Sequence, residues 1–589
     1  MQPGAEPGQG TSSNRRASLT ALTIAVPLLG TLVFLARVYV AQRQTVDDGF
    51  IFFRFARNLA AGEGLVWNLG WERAEGYTSH LQTLLLAGLM KLGMEGPPAG
   101  ILLGVTGCLG TAFLLFRGLP RFLGCPAWLA GWLVALYLAD ESAGLNATSG
   151  LETHLFTFTA AALWYAALRY VDERGARPGL ALGAAAFFVA LARPEGALLA
   201  ILTFAPLFFL AGTRRRVLRT AVPTLAVALA YLGWKYAYFG YLLPNSFHVK
   251  VESAVDASFN QFTRYLIEVC APIAAAFALL LPWLSRTDWG VRTSAHKGHS
   301  KWILTLLPLA GLLGFYITSV DASSGAHRYY WPSLPLIVAS LGCLAGALRQ
   351  TIPAAVPAVG SLLVAAWCLV GPDGPRWPLT VDPPEPLVAN LEKLGAALAT
   401  TGLANDATLV CDSAGIVGYA SEFDLIDRSG LMDNFLSGRE DVSFREREDY
   451  IFGLEPDVYI GWEPPATPGA AEARQDPAAA SSYVRRDLLR SRDRGGELVS
   501  RIFALEPEGL YRRMVELRDH WHWLGQVEPR AYWEPFWGVK MFAYVRRDSP
   551  HFDVLVEALQ AVIELPPERV NLAQRMTRVD LPAALRGER

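Results

Sequence analysis

The stretch Val46-Asp47-Asp48-Gly49-Phe50-Ile51-Phe52-Phe53-Arg54 follows closely on the first long apolar segment of the chain, Leu19 to Ala41. That segment is about long enough to cross the hydrocarbon core of a bilayer. Two adjacent carboxylates therefore lie where a membrane helix would emerge into water, and ionisable residues there are costly and tend to be kept for function. The alternative is that Asp47 and Asp48 are solvated residues that open a surface helix, because acids favour a helix N-terminus.

The composition of the 589-residue chain combines a membrane part with a soluble part. Hydrophobic residues make up 52% and charged residues 18%, against about 25% charged residues in a typical soluble domain. The deficit of charge lies in residues 19–371, whereas residues 372–589 have an ordinary soluble composition. A net charge of −2 gives no support for nucleic-acid binding, which would need a basic face. The six cysteines share no metal-ligand spacing, so we interpret them as apolar packing residues.

Hydropathy and the placement of basic residues predict about eleven transmembrane helices. They are expected near 19–41, 99–117, 125–139, 150–170, 178–192, 196–212, 218–239, 264–285, 302–319, 331–349 and 353–371. The first run is too long for a signal peptide and lacks an Ala-x-Ala exit. Arg15-Arg16 precedes it, which places the N-terminus in the cytoplasm. Residues 42–98 then form the first outer loop.

We expect three parts in the chain: a disordered cytoplasmic tail (1–18), a transmembrane domain (19–371) and an extracytoplasmic α/β domain (372–589). In the last part the pattern predicts strands at 407–411, 423–426, 457–461 and 541–545, and helices at 387–403 and 415–419. His520 and His522 alternate as neighbours in a strand would. The aromatic residues around them, with Trp533 and Trp537, favour core packing or bilayer contact over a sugar-binding platform.

Nine short stretches carry a resemblance by their order and spacing. They are Asp47–Arg54, Gly64–Asn68, Glu75–Thr78, Ser149–Thr153, Ala192–Gly196, Pro244–Phe247, His327–Pro332, Asp412–Tyr419 and Ile426–Leu431. With them the chain resembles the GT-C glycosyltransferases, polytopic enzymes that use polyprenyl-phosphate sugars. Within that superfamily it is most similar to the bacterial group that includes the mycobacterial terminal β-(1→2)-arabinofuranosyltransferase. One departure is Ser79-His80, where relatives often have Asn-Pro.

The resemblance implies that Asp47 or Asp48 is the catalytic residue. Glycosyl transfer passes through an oxocarbenium-like state while the incoming hydroxyl loses its proton, and a carboxylate within hydrogen-bond reach can accept that proton. The leaving lipid phosphate needs positive charge or N–H donors. One aspartate could act as the base while the other binds a divalent cation or orients the acceptor. The spacing of acids and histidines indicates no dedicated metal site.

Cationic side chains on the outer loops are candidates for binding the phosphate group of the polyprenyl-phosphate donor. They are His327, Arg328, Lys250 and Arg54, since an arginine fork suits a phosphate and histidine can add a donor. Tyr329, Tyr330 and Trp331 offer an alternative, an interfacial anchor. The candidates for substrate binding are Glu75, Tyr77, Glu152, Asn245 and His248. Glu152 could equally cap a helix, and Arg193 with Glu195 is expected to form an ion pair in a tight turn.

Two classes of function fit these observations. The first is a membrane glycosyltransferase that moves a sugar, with arabinofuranose as one candidate, from a polyprenyl-phosphate donor to an extracytoplasmic glycan or glycolipid of the cell envelope, with inversion. The second is a polytopic transporter or flippase of a lipid-linked sugar with an external domain. Transporters show polar residues near mid-span and repeated halves. Here the ionisable residues gather on one face, which favours an enzyme of the cytoplasmic membrane.

Overall fold

A long helix leads from the N-terminal segment towards the Asp-Asp stretch. The computed structural model describes residues 9–210, 213–250, 255–278, 295–319, 327–346, 355–370, 379–384, 386–437, 442–463, 516, 520–526 and 540–563. The first helix, α1, runs from Gln9 to Val40, although a disordered tail is expected as far as residue 18. Residues 9–18 contain no proline and adjoin an apolar helix, so the helix propagates through them at little cost.

The described residues up to residue 370 are mainly helical. After α1 its helices are α2 (Asp47–Ala61), α3 (His80–Lys91), α4 (Gly96–Leu123), α5 (Ala127–Ala139), α6 (Glu141–Thr148), α7 (Thr153–Asp172), α8 (Ala176–Ala192), α9 (Glu195–Phe209), α10 (Arg214–Phe239), α11 (Asn245–Lys250), α12 (Val255–Tyr265), α13 (Ala271–Ala278), α14 (Ala295–Ser319), α15 (Leu334–Gly346) and α16 (Ala355–Val370). A π-helical turn, Leu266–Cys270, joins α12 to α13, and a 3-10 turn, Trp331–Ser333, precedes α15.

Among the described residues, four helical segments are long and apolar enough to cross a membrane. They are Thr23–Val40, Gly96–Leu123, Arg214–Phe239 and Ser300–Thr318. Each of the eleven predicted crossings overlaps a described helix. The number of helices that actually span the bilayer stays a prediction.

Small residues allow these helices to pack closely. A Cβ on Gly30 of α1 would lie 2.7 Å from the Cα of Ala135 in α5, and one on Gly104 of α4 would lie 2.3 Å from the carbonyl oxygen of Ala147. Real Cβ atoms do not approach backbone atoms so closely. Glycine at these two positions therefore sets the distance between neighbouring helices.

The C-terminal part contains a five-stranded mixed sheet. Its elements are α17 (Pro386–Thr400), β1 (Thr408–Cys411), α18 (Ala414–Ser421), β2 (Asp424–Asp427), α19 (Phe444–Gly453), β3 (Val458–Glu463), β4 (Trp521–Gln526), β5 (Lys540–Arg546) and α20 (Phe552–Gln560). The strand order is β2-β1-β3-β5-β4. Strand β1 pairs in parallel with β2 and β3, whereas β5 runs antiparallel to β3 and β4.

The strands predicted at 407–411, 423–426, 457–461 and 541–545 are confirmed by β1, β2, β3 and β5. His522 lies in β4, and Trp521 beside it is buried against Phe452 and Tyr459, which agrees with core packing. Trp533 and Trp537 lie outside the described residues.

One hydrophobic core joins the first loop to the sheet. Phe50 and Phe53 of α2 make edge-to-face contacts with Tyr419 of α18, at ring centroid distances of 5.6 and 6.1 Å. The same cluster of buried residues includes Leu409 of β1 and Val458 of β3. The apolar face of α2 is therefore buried against the C-terminal part and not against lipid.

Candidate active site

Asp47 joins α2 to the sheet region. Its Oδ1 accepts a hydrogen bond from the backbone N–H of Ile416 at 2.8 Å, and its Oδ2 accepts one from that of Gly415 at 3.1 Å. The carboxylate therefore caps the N-terminus of α18, where unpaired backbone N–H groups favour an anion. Burial raises the pKa of Asp47 to about 7; the bond from Ile416 opposes this shift, and Asp48 adds to it.

Asp48 points in a different direction and lines a narrow cleft. The cleft is also lined by Tyr77, Thr78, Glu152, Arg193, Ser246, Arg328 and Leu431. Its free volume of about 30 Å³ would hold about two water molecules, so a sugar can enter only when the cleft widens. Asp48 Oδ2 lies 3.7 Å from Nη1 of Arg328, and about two fifths of the Asp48 side chain is exposed (38%).

Two buried polar atoms at this cleft have no hydrogen-bond partner within the described part of the chain. They are Nε of Arg328 and Oγ of Ser246. The remainder of the Arg328 guanidinium donates to Tyr329 Oη at 2.9 Å. Burial opposes the charge of Arg328, but Tyr329 and Asp48 outweigh it, and the pKa of Arg328 lies above its usual value. An unpaired buried donor costs free energy, so both groups are suited to an anionic or hydroxyl-bearing ligand.

A buried ion-pair network lies beside Asp48. Arg193 donates to Glu195 Oε1 at 2.6 Å and to Glu152 Oε1 at 2.9 Å, which confirms the predicted Arg193–Glu195 pair. Glu152 occupies the N-cap position of α7 but makes no capping hydrogen bond with its side chain. It accepts instead from Thr78 Oγ1 at 3.0 Å. The capping interpretation of Glu152 is therefore wrong, and its carboxylate faces the cleft.

Glu75 and Tyr77 belong to a second buried network. Glu75 lies 2.9 Å from Lys235 Nζ and 3.1 Å from His80 Nδ1, and Nε2 of His80 lies 3.2 Å from the Tyr77 hydroxyl. Tyr77 also lines the cleft, whereas Glu75 does not. The prediction that Glu75 binds substrate is not supported, because its carboxylate is paired with Lys235 and His80. Its backbone carbonyl accepts a hydrogen bond from the N–H of Asn245.

Arg54 does not lie at the cleft, although its charge makes it a candidate for the donor phosphate. Its guanidinium is buried and donates to the carbonyl oxygens of Trp67, Gly418 and Phe423 and to Asn68 Oδ1. Burial lowers the pKa of Arg54 to about 9. The prediction that Arg54 binds the donor phosphate is therefore wrong. Its guanidinium is hydrogen-bonded within the protein and holds α2 against the sheet region.

His327 is also directed away from the cleft. Its Nε2 lies 2.9 Å from Glu268 Oε2, and it lines a separate cavity described below. Asn245 is buried and donates to Asn434 Oδ1 at 3.2 Å, and His248 is exposed beside Phe247. Neither lines the cleft. The side chain of Lys250 lies outside the described residues.

Several residues that line the cleft are absent from the candidates predicted from the sequence, and Ser246, Thr78 and Leu431 are three of them. Ser246 is adjacent to the predicted Asn245, and Thr78 to the predicted Tyr77. Leu431 comes from the turn after β2, so the C-terminal part supplies one wall. The matched stretches Glu75–Thr78, Pro244–Phe247 and Ile426–Leu431 contain all three. Within the described ranges no three His, Cys, Asp or Glu side chains form a metal-binding group.

These features define the class: a helical membrane protein with an acid and an arginine facing each other at a loop-built cleft. The resemblance noted on the motifs is confirmed by two curated relatives. One is a terminal beta-(1->2)-arabinofuranosyltransferase of Mycobacterium tuberculosis, 32% identical over 265 residues, or 42% of this chain and 41% of the relative. The other, from Corynebacterium glutamicum, carries the same description and is 29% identical over 289 residues, or 44% and 40% of the two chains.

The chain thus spans about two fifths of the length of each curated relative. No family model matches the chain. Among solved structures it is similar to ArnT from Cupriavidus metallidurans, in crystals with undecaprenyl phosphate bound and in the apo state. Both comparisons give a TM-score of 0.49 and cover 76% of this chain and 93% of ArnT, at 14% and 13% identity.

Proposed function

We propose that this protein is a membrane glycosyltransferase. It moves a sugar, with arabinofuranose as the leading candidate, from a polyprenyl-phosphate donor to a hydroxyl of a cell-envelope glycan or glycolipid outside the cytoplasmic membrane. The relatives' description as terminal beta-(1->2)-arabinofuranosyltransferases supports the class of reaction. Packing of the C-terminal sheet region against the loop that carries Asp48 supports a location of this region on the same outer side.

The observation that carries the proposal is the pairing of Asp48 with Arg328 across the cleft. A carboxylate can accept the proton of an incoming hydroxyl. A guanidinium that remains charged can neutralise the phosphate that leaves. Both are present within one cleft, and the unpartnered Nε of Arg328 and Oγ of Ser246 add two sites for oxygen atoms of a ligand.

In the proposed step the acceptor oxygen attacks the anomeric carbon as its proton passes to Asp48. The bond from that carbon to the phosphate oxygen breaks, and its electron pair leaves with the lipid phosphate beside Arg328. A single displacement of this kind inverts the configuration at the anomeric carbon. Asp48 is assigned as the base, because both carboxylate oxygens of Asp47 already accept backbone hydrogen bonds.

The test is transfer by the purified full-length chain in detergent with a set of polyprenyl-phosphate sugars that includes the arabinofuranosyl donor. Asp48→Asn should lower turnover more than about 100-fold, the range for loss of a general base. Arg328→Gln should lower it comparably, and Glu95→Gln, on an exposed residue at the start of α4, should not. Equal turnover by Asp48→Asn and parent would overturn the assignment. Movement of the intact donor across a bilayer without product would favour the transporter alternative.

A further inference from the structure

A second cavity lies beside the cleft and has a different character. It has a volume of about 720 Å³, within the range of about 300–1,000 Å³ that holds small organic ligands. Side chains from α1, α5, α6, α13 and α16 and from the π-helical turn line it. We call it the lateral cavity.

The charged side chains that line the lateral cavity carry a net negative charge, and we call the part of the cavity that they line its rim. It carries Arg37, Asp140, Glu141, Glu268 and His327. Three carboxylates against one guanidinium leave a formal charge of −2 with His327 neutral. Arg264, which is outside the lining, lies 3.3 Å from Glu268; counting that pair as neutral still leaves an excess of one negative charge. A ligand carrying only negative charge, such as a polyprenyl phosphate, is therefore disfavoured here.

Beyond the rim the lining becomes apolar. Glu268 lies in the π-helical turn and Ile273 lies five residues later, in α13. At 1.5 Å per residue, Ile273 is roughly 8 Å further along the helix axis. Leu136, Val364 and Trp367 line the cavity from α5 and α16. A charged rim followed by an apolar interior fits an amphiphile, with its head at the rim and its chain between the helices.

A second feature of the lateral cavity is His327, whose Nε2 lies 2.9 Å from Glu268 and whose other ring nitrogen points to a ligand. The His327 side chain is only 10% exposed, and its buried Nδ1 has no hydrogen-bond partner within the described residues. His327 has a φ of 52°, a left-handed conformation uncommon for residues other than glycine. That conformation sends consecutive side chains to different places, with His327 at the lateral cavity and Arg328 at the cleft. Unusual backbone conformations of this kind cluster at ligand sites.

We propose that the lateral cavity binds a phospholipid with a primary-amine headgroup, of the ethanolamine type. The headgroup phosphate lies beside Arg37, and the ammonium group lies among the carboxylates of Asp140, Glu141 and Glu268. An acyl chain fills the apolar part between α5, α13 and α16. The proposal does not depend on glycosyl transfer, because it concerns residues outside the cleft.

The test uses the full-length chain, purified in mild detergent and stripped of lipid, with native mass spectrometry as the readout. Phospholipids with identical acyl chains and ethanolamine, choline or glycerol headgroups are added separately. The ethanolamine lipid should bind about tenfold more tightly than the glycerol lipid, the factor expected for one charge-assisted hydrogen bond. Glycerophosphoethanolamine, which lacks acyl chains, should bind at least about tenfold more weakly than the ethanolamine lipid, because it buries no apolar chain.

Two neighbouring alanines provide a matched pair of variants. Ala275 and Ala274 are both exposed on α13, but only Ala275 lines the cavity. Ala275→Trp should fill the cavity and lower binding of the ethanolamine lipid at least about tenfold, whereas Ala274→Trp should bind like the parent. Glu141→Gln should reduce the preference for ethanolamine over glycerol. Equal binding of the two headgroups, equal binding by the two tryptophan variants, or full binding of the chain-free headgroup would overturn the proposal.

Discussion

Replacing Asp47 by asparagine should change how the stability of this protein depends on pH. In the folded chain, burial raises the pKa of Asp47 from 3.8 to about 7. The native state therefore binds this proton more tightly than the unfolded state. The resulting stability is fully present below about pH 4 and is lost as the pH rises through about 7.

The shift of roughly 3 pKa units sets an upper limit of about 4 kcal/mol, at about 1.4 kcal/mol per unit. Partial exposure of Asp47 lowers the effect, so we expect about 1–2 kcal/mol. Asparagine keeps an acceptor for an N–H of α18 but cannot ionise. The apparent Tm of Asp47→Asn minus that of the parent should therefore increase by a few degrees between about pH 5 and pH 8.

The measurement is thermal unfolding of both proteins in the same detergent, followed by tryptophan fluorescence across that pH range. Asp553→Asn, in the exposed first turn of α20, controls for the removal of a carboxylate as such. A difference that stays constant or decreases with rising pH would refute the reasoning. It would mean that the cap on α18 stabilises the ionised carboxylate more than burial disfavours it.

Further predictions concern the contacts that join the first loop to the rest of the chain. Gly415→Ala should lower the apparent Tm by several degrees, because its Cβ would lie 2.0 Å from the Asp47 carbonyl oxygen, whereas Gly453→Ala, with open space around it, should not. Arg54→Met should cost about 2–4 kcal/mol and expose the junction to limited proteolysis, since three carbonyls each lose a donor, and Asn58 still donates to that of Trp67. Arg193→Met should destabilise by about 3–5 kcal/mol in thermal unfolding, because two buried carboxylates lose their cation; unchanged Tm values would contradict each of these estimates.

Much of the fold could be predicted from the sequence because its signals are local. Apolar runs locate the helices, and the short apolar segment Ala407–Cys411 predicts a buried strand that the structure confirms. The sequence analysis did not predict a helix over residues 9–18. Their polar composition indicates a disordered tail, unless one considers that an apolar helix follows directly and can extend into them. Hydropathy also cannot show that α2 is covered by the sheet region and not by lipid.

The site could be predicted only in part, because the direction of a side chain depends on distant contacts. Asp47 and Asp48 are adjacent in sequence and chemically identical, yet one caps a helix more than 360 residues away and the other faces the cleft. Likewise Arg54 and Arg328 are both arginines outside the predicted spans, but only Arg328 has an unpartnered nitrogen at the cleft. The motif stretches located the right segments, and the tertiary structure selected the residues within them.

The cap of Asp47 on α18 also has a consequence for biosynthesis. The carboxylate of Asp47 and the N–H of Gly415 are separated by 368 residues. Translation adds about 5–20 residues per second, so roughly 20–70 s pass between synthesis of the first loop and synthesis of α18. During that interval the first helix can enter the bilayer, while the loop with Asp47 and Asp48 is not yet covered by the C-terminal sheet region. The wall that Leu431 supplies is likewise still missing, so a ribosome-bound or truncated chain would have an incomplete cleft.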